Sequence, residues 1–294
     1  MTSADLARLV GLAGIWSLSF VFMRIVAPAL GPLWTAGLRV LIGGTVLVAW
    51  LLVTRQDANV RGNWRAYLLI GAVNSALPFT LFAYAALSLP AAYLAILNAT
   101  VPLYAVVLAA VWLDEPLTVA KIAGILSGIV GVGVVTGVGA IEMTPHAWLA
   151  TGAVLLATLC YAISAIGIKL RGQALRPYAI AAWSQIFAAL VLIPPAVAIP
   201  APGALTPAVA ANLAGLGLLC SGVAYLLYYR LIRDIGPTRT ATLTFLLPAF
   251  GIVWGWLILG ESITLTMLVG TALIVGGTAA VLRPAPSRTA IAAR

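Results

Sequence analysis

One stretch of the chain occurs twice, as VPLYAVVLAAVWLDEPLTVAKIAGILSGIVG at residues 101–131 and again as LPAFGIVWGWLILGESITLTMLVGTALIVGG at residues 247–277. At an offset of 146, with no gap, a proline, a glutamate, a threonine and two glycines coincide. The matched pairs are Pro102/Pro248, Glu115/Glu261, Thr118/Thr264, Gly124/Gly270 and Gly131/Gly277. Because a shared spacing of this kind is not a chance register, it predicts an internal duplication.

The duplication extends toward the start of the chain. At an offset of 145 the matched pairs are Trp16/Tyr161, Ser19/Ser164, Arg24/Lys169 and Pro32/Pro177. Between these and the first stretch, Phe79 falls on Tyr225 and Phe82 on Tyr228. We therefore predict a first repeat at residues 1–138, a second at residues 139–283 and a tail at residues 284–294.

The composition is that of an integral membrane protein. Of the 294 residues, 63% are hydrophobic and only 8% are charged, and the mean hydropathy is +1.12. Soluble domains carry roughly 25% charged residues. This excludes a soluble enzyme, a nucleic-acid-binding protein and a disordered chain, despite the net charge of +9. Cys160 and Cys220 lie in apolar runs, and we expect no disulfide, metal or cofactor.

Apolar segments predict an all-α fold of ten transmembrane helices, since a span needs about 20 residues. The spans lie near residues 6–27, 32–53, 65–87, 91–113, 117–138, 147–168, 178–199, 208–231, 238–259 and 264–282. If both termini are cytoplasmic, 14 of the 16 basic residues fall on the cytoplasmic side, as the positive-inside rule requires. Five spans per repeat is an odd number, so the second repeat is inverted relative to the first. Inverted repeats are typical of transporters, and a duplicated channel or scaffold is the alternative.

The sequence resembles the drug/metabolite transporter superfamily, in its EamA-type branch of ten-helix exporters. The residues that carry the resemblance are Ile15-Trp16 with Ser19, Gly37-Leu38-Arg39, Pro102 with Leu113-Asp114-Glu115, and Pro248 with Leu259-Gly260-Glu261. The resemblance covers the whole chain and is greatest to bacterial exporters of amino acids, including aromatic ones. It implies export of a small molecule from the cytoplasm through a central cavity, with the fifth helix of each half more peripheral.

Partners and location follow from the same patterns. The expected partners are a small-molecule substrate and the lipid bilayer, without nucleic acid. We expect a monomer, with a dimer left open. Arginine outnumbers lysine 14 to 2, which favours a GC-rich bacterial gene and hence the bacterial inner membrane. Export of drugs or other solutes by the same fold is an alternative, as are an intramembrane lipid-modifying enzyme and a channel.

Polar and aromatic residues at middle depth are the candidates for substrate contact, because amides and hydroxyls in hydrocarbon need partners. They are Trp16, Ser19, Asn74, Phe79, Asn98, Thr100, Tyr161, Ser164, Trp183, Gln185, Tyr225, Tyr228, Thr242 and Thr244. For any one of them, ordinary bonding between helices is the alternative. We expect the cavity between spans one, three, four, six, eight and nine, near the level of Pro102 and Pro248.

The repeated prolines and glutamates predict structural devices. Pro102 and Pro248 each remove a backbone hydrogen bond, which makes them a helix break or hinge, or else an inert kink. Glu115 and Glu261 lie between the fourth and fifth helices of each half. There they are expected to cap the next helix, and a gate contact is the alternative.

Charged residues at membrane depth are the first candidates for ion coupling. All seven acidic residues fall at helix ends or in loops, and His146 lies in a loop, so we expect a facilitator without a proton site. Arg39 is the one exception, about 10 Å below the outer end of span two by helical rise. It either binds a substrate carboxylate or serves as a structural arginine that snorkels outward or caps carbonyl groups, and the structural role is favoured.

Overall fold

The computed structural model describes residues 2–137, 144–171 and 175–282, and within these ranges the chain is helical, with no β-strand. The helices are α1 (Ser3–Val53), α2 (Val60–Ala85), α3 (Ala91–Trp112), α4 (Val119–Gly137), α5 (Pro145–Arg171), α6 (Pro177–Val197), α7 (Pro207–Ile235), α8 (Leu243–Leu259) and α9 (Leu265–Val281). A four-residue helix, Pro237–Thr240, precedes α8. The all-α fold predicted from the sequence is confirmed for these residues. The loop residue Glu142 and the predicted tail lie outside them.

The outer surface of the bundle is apolar. Seven of the helices, α1 to α7, are long and apolar enough to cross a membrane by length and composition, and α8 and α9 are shorter apolar helices of 17 residues. Large aliphatic side chains on the outside are more than half exposed, among them Leu126, Ile129, Leu257 and Leu265. A continuous apolar exterior of this kind requires lipid rather than water around it.

Helix α1 is a helical hairpin rather than one rod. Its 51 residues would extend about 77 Å as an ideal helix, against a hydrocarbon thickness of about 30 Å. The helix breaks at Gly31, which has φ 77° and ψ 162° and lies between Pro28 and Pro32. Glycine adopts this backbone without strain, and the following proline disfavours a helical conformation there.

A contact within α1 shows that its two limbs, residues 3–30 and 32–53, run side by side. Nη1 of Arg39 lies 3.9 Å from the sulfur of Met23. In an unbroken helix these residues would be separated by about 24 Å along the axis. The limbs are therefore antiparallel neighbours.

Helices α4 and α9 cross through glycines at very short range. A Cβ atom added at Gly124 would lie 2.6 Å from the carbonyl oxygen of Gly277, and one added at Gly131 would lie 2.9 Å from that of Gly270. Between these points the Ser127 hydroxyl donates to the carbonyl of Leu273 at 2.9 Å. Small residues at a crossing let the backbones of membrane helices approach closely.

We expect Gly277→Ala to destabilise the protein by about 1–3 kcal/mol, the usual cost of overpacking. The added methyl group would collide with the Gly124 carbonyl oxygen. Gly276→Ala is the matched control, because a Cβ at this neighbouring position meets nothing within 4 Å. Thermal unfolding of the two purified variants checks the prediction. Equal melting temperatures would contradict the close crossing.

Candidate substrate cavity

A cavity of about 660 Å³ lies inside the bundle, a size suited to a small-molecule ligand. Its described lining comes from both limbs of α1 and from α2, α3, α5, α6, α7 and α8, whereas α4 and α9 contribute no residue to it. At one end it is lined by Lys169 and Pro177, which are exposed. Toward the other end Phe20 and Phe82 pack together at 5.5 Å, and residues 91–97 are all buried. The cavity therefore opens at the end where α5 meets α6.

Two aromatic clusters form parts of the cavity wall. In the first, the Trp16 ring from α1 lies 5.8 Å from the ring of Tyr225 and 5.2 Å from that of Tyr228, both on α7. The indole N–H of Trp16 donates to the carbonyl of Cys220 at 3.1 Å, and this bond holds the ring in place. The second cluster joins α2 and α5 in the same way, at ring distances of 6.4 and 6.1 Å, through Phe79, Phe82 and Tyr161.

Nine of the residues predicted at middle depth line this cavity. They are Trp16, Ser19, Asn74, Phe79, Asn98, Tyr161, Tyr225, Tyr228 and Thr244. Asn74 lies in a widened π-helical turn of α2, Ala72–Ala76. Pro78 explains this turn, because it has no N–H to donate to the carbonyl of Asn74 and the helix must adjust around it. Helix α7 contains a longer π-helical segment, Gly215–Val223.

The other five predicted residues do not line the cavity. The Thr100 hydroxyl lies 3.2 Å from that of Thr158, the Gln185 amide donates to the carbonyl of Ser221 at 3.0 Å, and the Thr242 hydroxyl donates to the carbonyl of Arg239. Trp183 packs against the cluster around Leu47, Leu51 and Ala181. Ser164 is buried, and its hydroxyl has no partner in the described structure. Thr100, Gln185, Trp183 and Ser164 thus bridge or fill contacts between helices, whereas the exposed Thr242 makes only a local bond.

The cavity wall also contains residues outside this set of polar and aromatic candidates. Arg39 is the most consequential, because it is only 5% exposed and yet faces the cavity. Its Nε donates to the Ser221 hydroxyl at 2.8 Å, and its guanidinium carbon lies 3.7 Å from the centre of the Phe79 ring. Further lining residues that went unpredicted are Phe20, Met23, Phe82 and Tyr229.

The repeated prolines lie at or near helix breaks. Helix α3 is interrupted at Ala99 and Thr100, and Pro102 occupies the first turn of the segment that follows, Val101–Trp112. A proline is tolerated there because its missing N–H would be unpaired in any case. Pro248 lies inside α8, six residues after the non-helical turn at Thr242. Pro102 thus restarts a helix, while Pro248 is accommodated within one.

The two repeated glutamates have different partners, and neither caps the helix that follows it. Glu261 accepts from the backbone N–H groups of Ala91 at 2.7 Å and Ala92 at 3.1 Å, so it caps α3. The start of α9 is capped instead by the Thr264 hydroxyl, which accepts from the N–H of Met267. Glu261 therefore caps α3 rather than the helix that follows it.

Glu115 forms ion pairs instead of a cap. Its carboxylate lies 3.0 Å from Nζ of Lys169 and 3.7 Å from that of Lys121. The hydrogen bond from Lys169 lowers the pKa of the Glu115 carboxyl. The hydroxyl of Thr118 supplies the cap of α4 by accepting from the N–H of Lys121. Glu115 therefore joins the mouth of the cavity to the loop between α3 and α4.

The described lining of the cavity contains no Asp, Glu, His or Cys side chain. No group of three or more His, Cys, Asp and Glu side chains comes together among the described residues. The described acidic residues lie in loops or at helix ends, as they do in the sequence. What the cavity offers a ligand is aromatic surface, two amides, a few hydroxyls and one buried cation.

Comparison with known proteins agrees with this arrangement. The model of the EamA-like transporter family matches the chain twice, at residues 6–137 and 148–283. The uncharacterized transporter YoaV of Bacillus subtilis (strain 168) is 23% identical over 267 residues, which cover 90% of this chain and 91% of YoaV. Protein PecM of Dickeya dadantii (strain 3937) is 24% identical over 266 residues, which cover 88% of this chain and 86% of PecM.

A solved crystal structure has a similar fold. It has a TM-score of 0.68 to this chain at 18% sequence identity, over 95% of this chain and 96% of the other. At this level of identity the similarity concerns the fold alone. With the family model covering most of the sequence, the resemblance inferred from the Pro–Glu signatures is confirmed. The chain belongs to the EamA-like transporter family and is a multi-pass membrane transporter rather than an enzyme.

Proposed function

We propose that the chain crosses the membrane ten times, with both termini in the cytoplasm. The two limbs of α1 supply two spans, and α2 to α9 supply eight. Contacts between helix ends support this topology, in which successive loops lie on alternate sides of the membrane. Arg8 pairs with Asp234 at 3.5 Å on the side assigned to the cytoplasm, and the Gly203 N–H donates to the Ala29 carbonyl at 2.8 Å on the side assigned to the exterior. The Lys169–Glu115 and Glu261–Ala91 contacts likewise each join two ends assigned to one side.

The two halves, residues 1–138 and 139–283, are proposed to be inverted repeats related by a two-fold axis. At an offset of 146, Gly124 corresponds to Gly270 and Gly131 to Gly277. The contacts run crosswise, from Gly124 to Gly277 and from Gly131 to Gly270. Such reciprocal contacts are what a two-fold axis produces. The aromatic clusters follow the same rule, since Trp16 packs on Tyr225 whereas its counterpart Tyr161 packs on Phe79.

The topology is tested by cysteine labelling in intact cells. We expect a membrane-impermeant maleimide added outside to label Ala204→Cys and to leave Asp57→Cys unlabelled until the cells are opened. Both positions are exposed, and the native Cys160 and Cys220 are buried, so the background is low. The reverse pattern would overturn the orientation. Labelling of both positions would overturn the assignment of the two loops to opposite sides.

We infer that the protein exports small amphipathic metabolites, above all amino acids with aromatic or uncharged side chains, across the bacterial inner membrane. The observation that carries this proposal is the aromatic cavity between the two halves, which opens at the end where α5 meets α6. An aromatic side chain can stack on Trp16 or Tyr161, and the polar end can reach Asn98 or Asn74. The protein is expected to act as a monomer, since the cavity lies within one chain.

Alternating access is the proposed mechanism, and the two ends of the molecule suggest how it operates. At the closed end Arg24 donates to the carbonyl of Ala86 at 2.7 Å, and Glu261 binds the start of α3. At the open end their counterparts Lys169 and Glu115 bind each other. We propose that closure of this end breaks the Lys169–Glu115 pair. Lys169 then binds the helix end near residue 232, as Arg24 binds Ala86. Glu115 binds the helix start near residue 238, as Glu261 binds the start of α3.

The proposed function is tested by uptake into proteoliposomes. We expect labelled phenylalanine, tyrosine or leucine to enter faster than in protein-free vesicles, and a labelled sugar to be excluded. The Asn98→Ala and Tyr225→Ala variants should fold normally and transport several-fold more slowly, because each removes a contact from the cavity wall. Uptake of a drug cation or a sugar, with none of any amino acid, would show that the same fold serves another solute.

A further inference from the structure

Arg39 is a buried cation without a counter-charge. Arg39 is only 5% exposed, and it takes part in none of the ion pairs of the described residues. Removing an unpaired charge from water costs several kcal/mol. Because a buried charge is energetically costly, membrane proteins retain one at a functional site more often than in a purely structural role.

The contacts of Arg39 do not fit the structural roles open to it. It donates to one hydroxyl, that of Ser221, and touches the sulfur of Met23, but it donates to no backbone carbonyl in the described ranges. Arg24 shows what a carbonyl-capping arginine looks like in this protein, since it binds Ala86 directly. Nor does Arg39 snorkel to the surface, because the Phe79 ring covers it. Its remaining N–H groups are left for a ligand.

The cavity around Arg39 has a one-sided charge distribution. Among its described lining residues, Arg39 and Lys169 carry a positive charge and none is an aspartate or a glutamate. Lys169 is exposed and paired with Glu115, so its charge is screened and already compensated. The Ser221 and Phe79 contacts hold the Arg39 guanidinium in place, which is the preorganisation that binding a planar anionic group requires. Position 39 has no cationic counterpart in the second half, where Ser184 stands at an offset of 145.

We propose that Arg39 binds the carboxylate of the substrate, so that the cavity selects organic carboxylates with an aromatic or aliphatic body. This deepens the proposed function, on which it rests, by naming the group recognised. An amino group is tolerated near Asn98 and the aromatic rings but is not required. A charge-assisted pair of this kind is worth enough to change affinity by about tenfold or more. An amine without a carboxylate gains nothing from Arg39 and is repelled by it.

Ligand-induced thermal stabilisation of the purified protein tests this inference without any transport step. The three probes are 3-phenylpropionate, phenethylamine and L-phenylalanine, which share a ring and differ in their charged groups. For the wild type we expect stabilisation by 3-phenylpropionate and L-phenylalanine at concentrations about tenfold lower than by phenethylamine. In Arg39→Gln this preference should disappear, and Arg39→Lys should restore part of it. Lys169→Gln is the control for general positive potential and should keep the preference, whatever its effect on transport.

The outcomes separate this inference from the proposed function. Equal or better binding of phenethylamine by the wild type would overturn the role of Arg39 even if every arginine variant failed to fold. A preference retained in Arg39→Gln, or lost equally in Lys169→Gln, would also overturn it. The role of Arg39 would likewise be overturned if neither 3-phenylpropionate nor L-phenylalanine stabilised the wild type. Binding of 3-phenylpropionate through Arg39, with no transport of any amino acid, would support the inference and refute the amino acid substrate.

Discussion

Replacing Glu261 with alanine is expected to open the closed end of the cavity to the outside. The Glu261 carboxylate accepts two backbone N–H groups at the start of α3, and each charge-assisted bond contributes about 1.5–3 kcal/mol. Since about 1.4 kcal/mol is a factor of ten in an equilibrium, loss of both should shift the conformational balance at least about tenfold. A cysteine at Ser19, which lines the cavity and is nearly the same size as serine, reports the change.

The measurement is the rate at which an impermeant thiol reagent, added outside intact cells, labels Ser19→Cys. We expect Glu261→Ala to raise that rate about tenfold or more, and Glu115→Ala at the opposite end to leave it low. The Glu261→Ala protein without the added cysteine controls for the native thiols. If external labelling is unchanged while the variant folds normally, Glu261 caps α3 without holding the end shut.

Filling the cavity is expected to abolish transport. Ala165 on α5 lines the cavity and is exposed to it, so Ala165→Trp should place an indole in the substrate path without disturbing packed helices. We expect substrate uptake below about a tenth of the wild-type rate, with the melting temperature unchanged. The physical reason is steric: the ring occupies space that the substrate needs in every conformation.

Gly152→Trp is the matched control, because it adds the same ring to the same helix. A Cβ atom added at Gly152 would have no other atom within 4 Å. This variant should transport like the wild type. Normal transport by Ala165→Trp would mean that the substrate does not pass through this cavity, and would remove the basis of the proposed mechanism.

Much of the fold could be predicted from the sequence because its determinants are local. Pro28, Gly31 and Pro32 identify the break in α1 without any knowledge of tertiary structure. The Pro–Glu spacing and its repeat locate the start and end of the later helices to within a few residues. Apolar length alone does the rest, since few loops are long enough to add ambiguity.

The candidate site was harder to predict, because depth along a helix can be read from a sequence whereas the direction of a side chain around the helix cannot. Most of these helices are apolar on all sides, so no polar stripe marks their inner face. Thr100 and Gln185 lie at the expected depth but point into contacts between helices. Asn98 and Thr244 lie at a comparable depth and face the cavity.

Partner choice was the least predictable feature, because it depends on the conformation and not only on residue type. Glu115 and Glu261 occupy equivalent positions, yet one binds lysines and the other binds backbone N–H groups. A sequence with two equivalent halves contains no record of which end is open. For a related reason, the lack of a counter-charge at Arg39 becomes visible only when its neighbours are known.

The most direct test of the account is counterflow in proteoliposomes without an imposed ion gradient. Vesicles are loaded with unlabelled phenylalanine, and a trace of labelled phenylalanine is supplied outside. A carrier that alternates around one cavity, with no aspartate, glutamate or histidine lining the described part of that cavity, should accumulate label transiently above its equilibrium level through exchange alone. Equilibration without an overshoot would indicate a channel. Accumulation that requires a proton gradient and collapses with an uncoupler would contradict the facilitator mechanism.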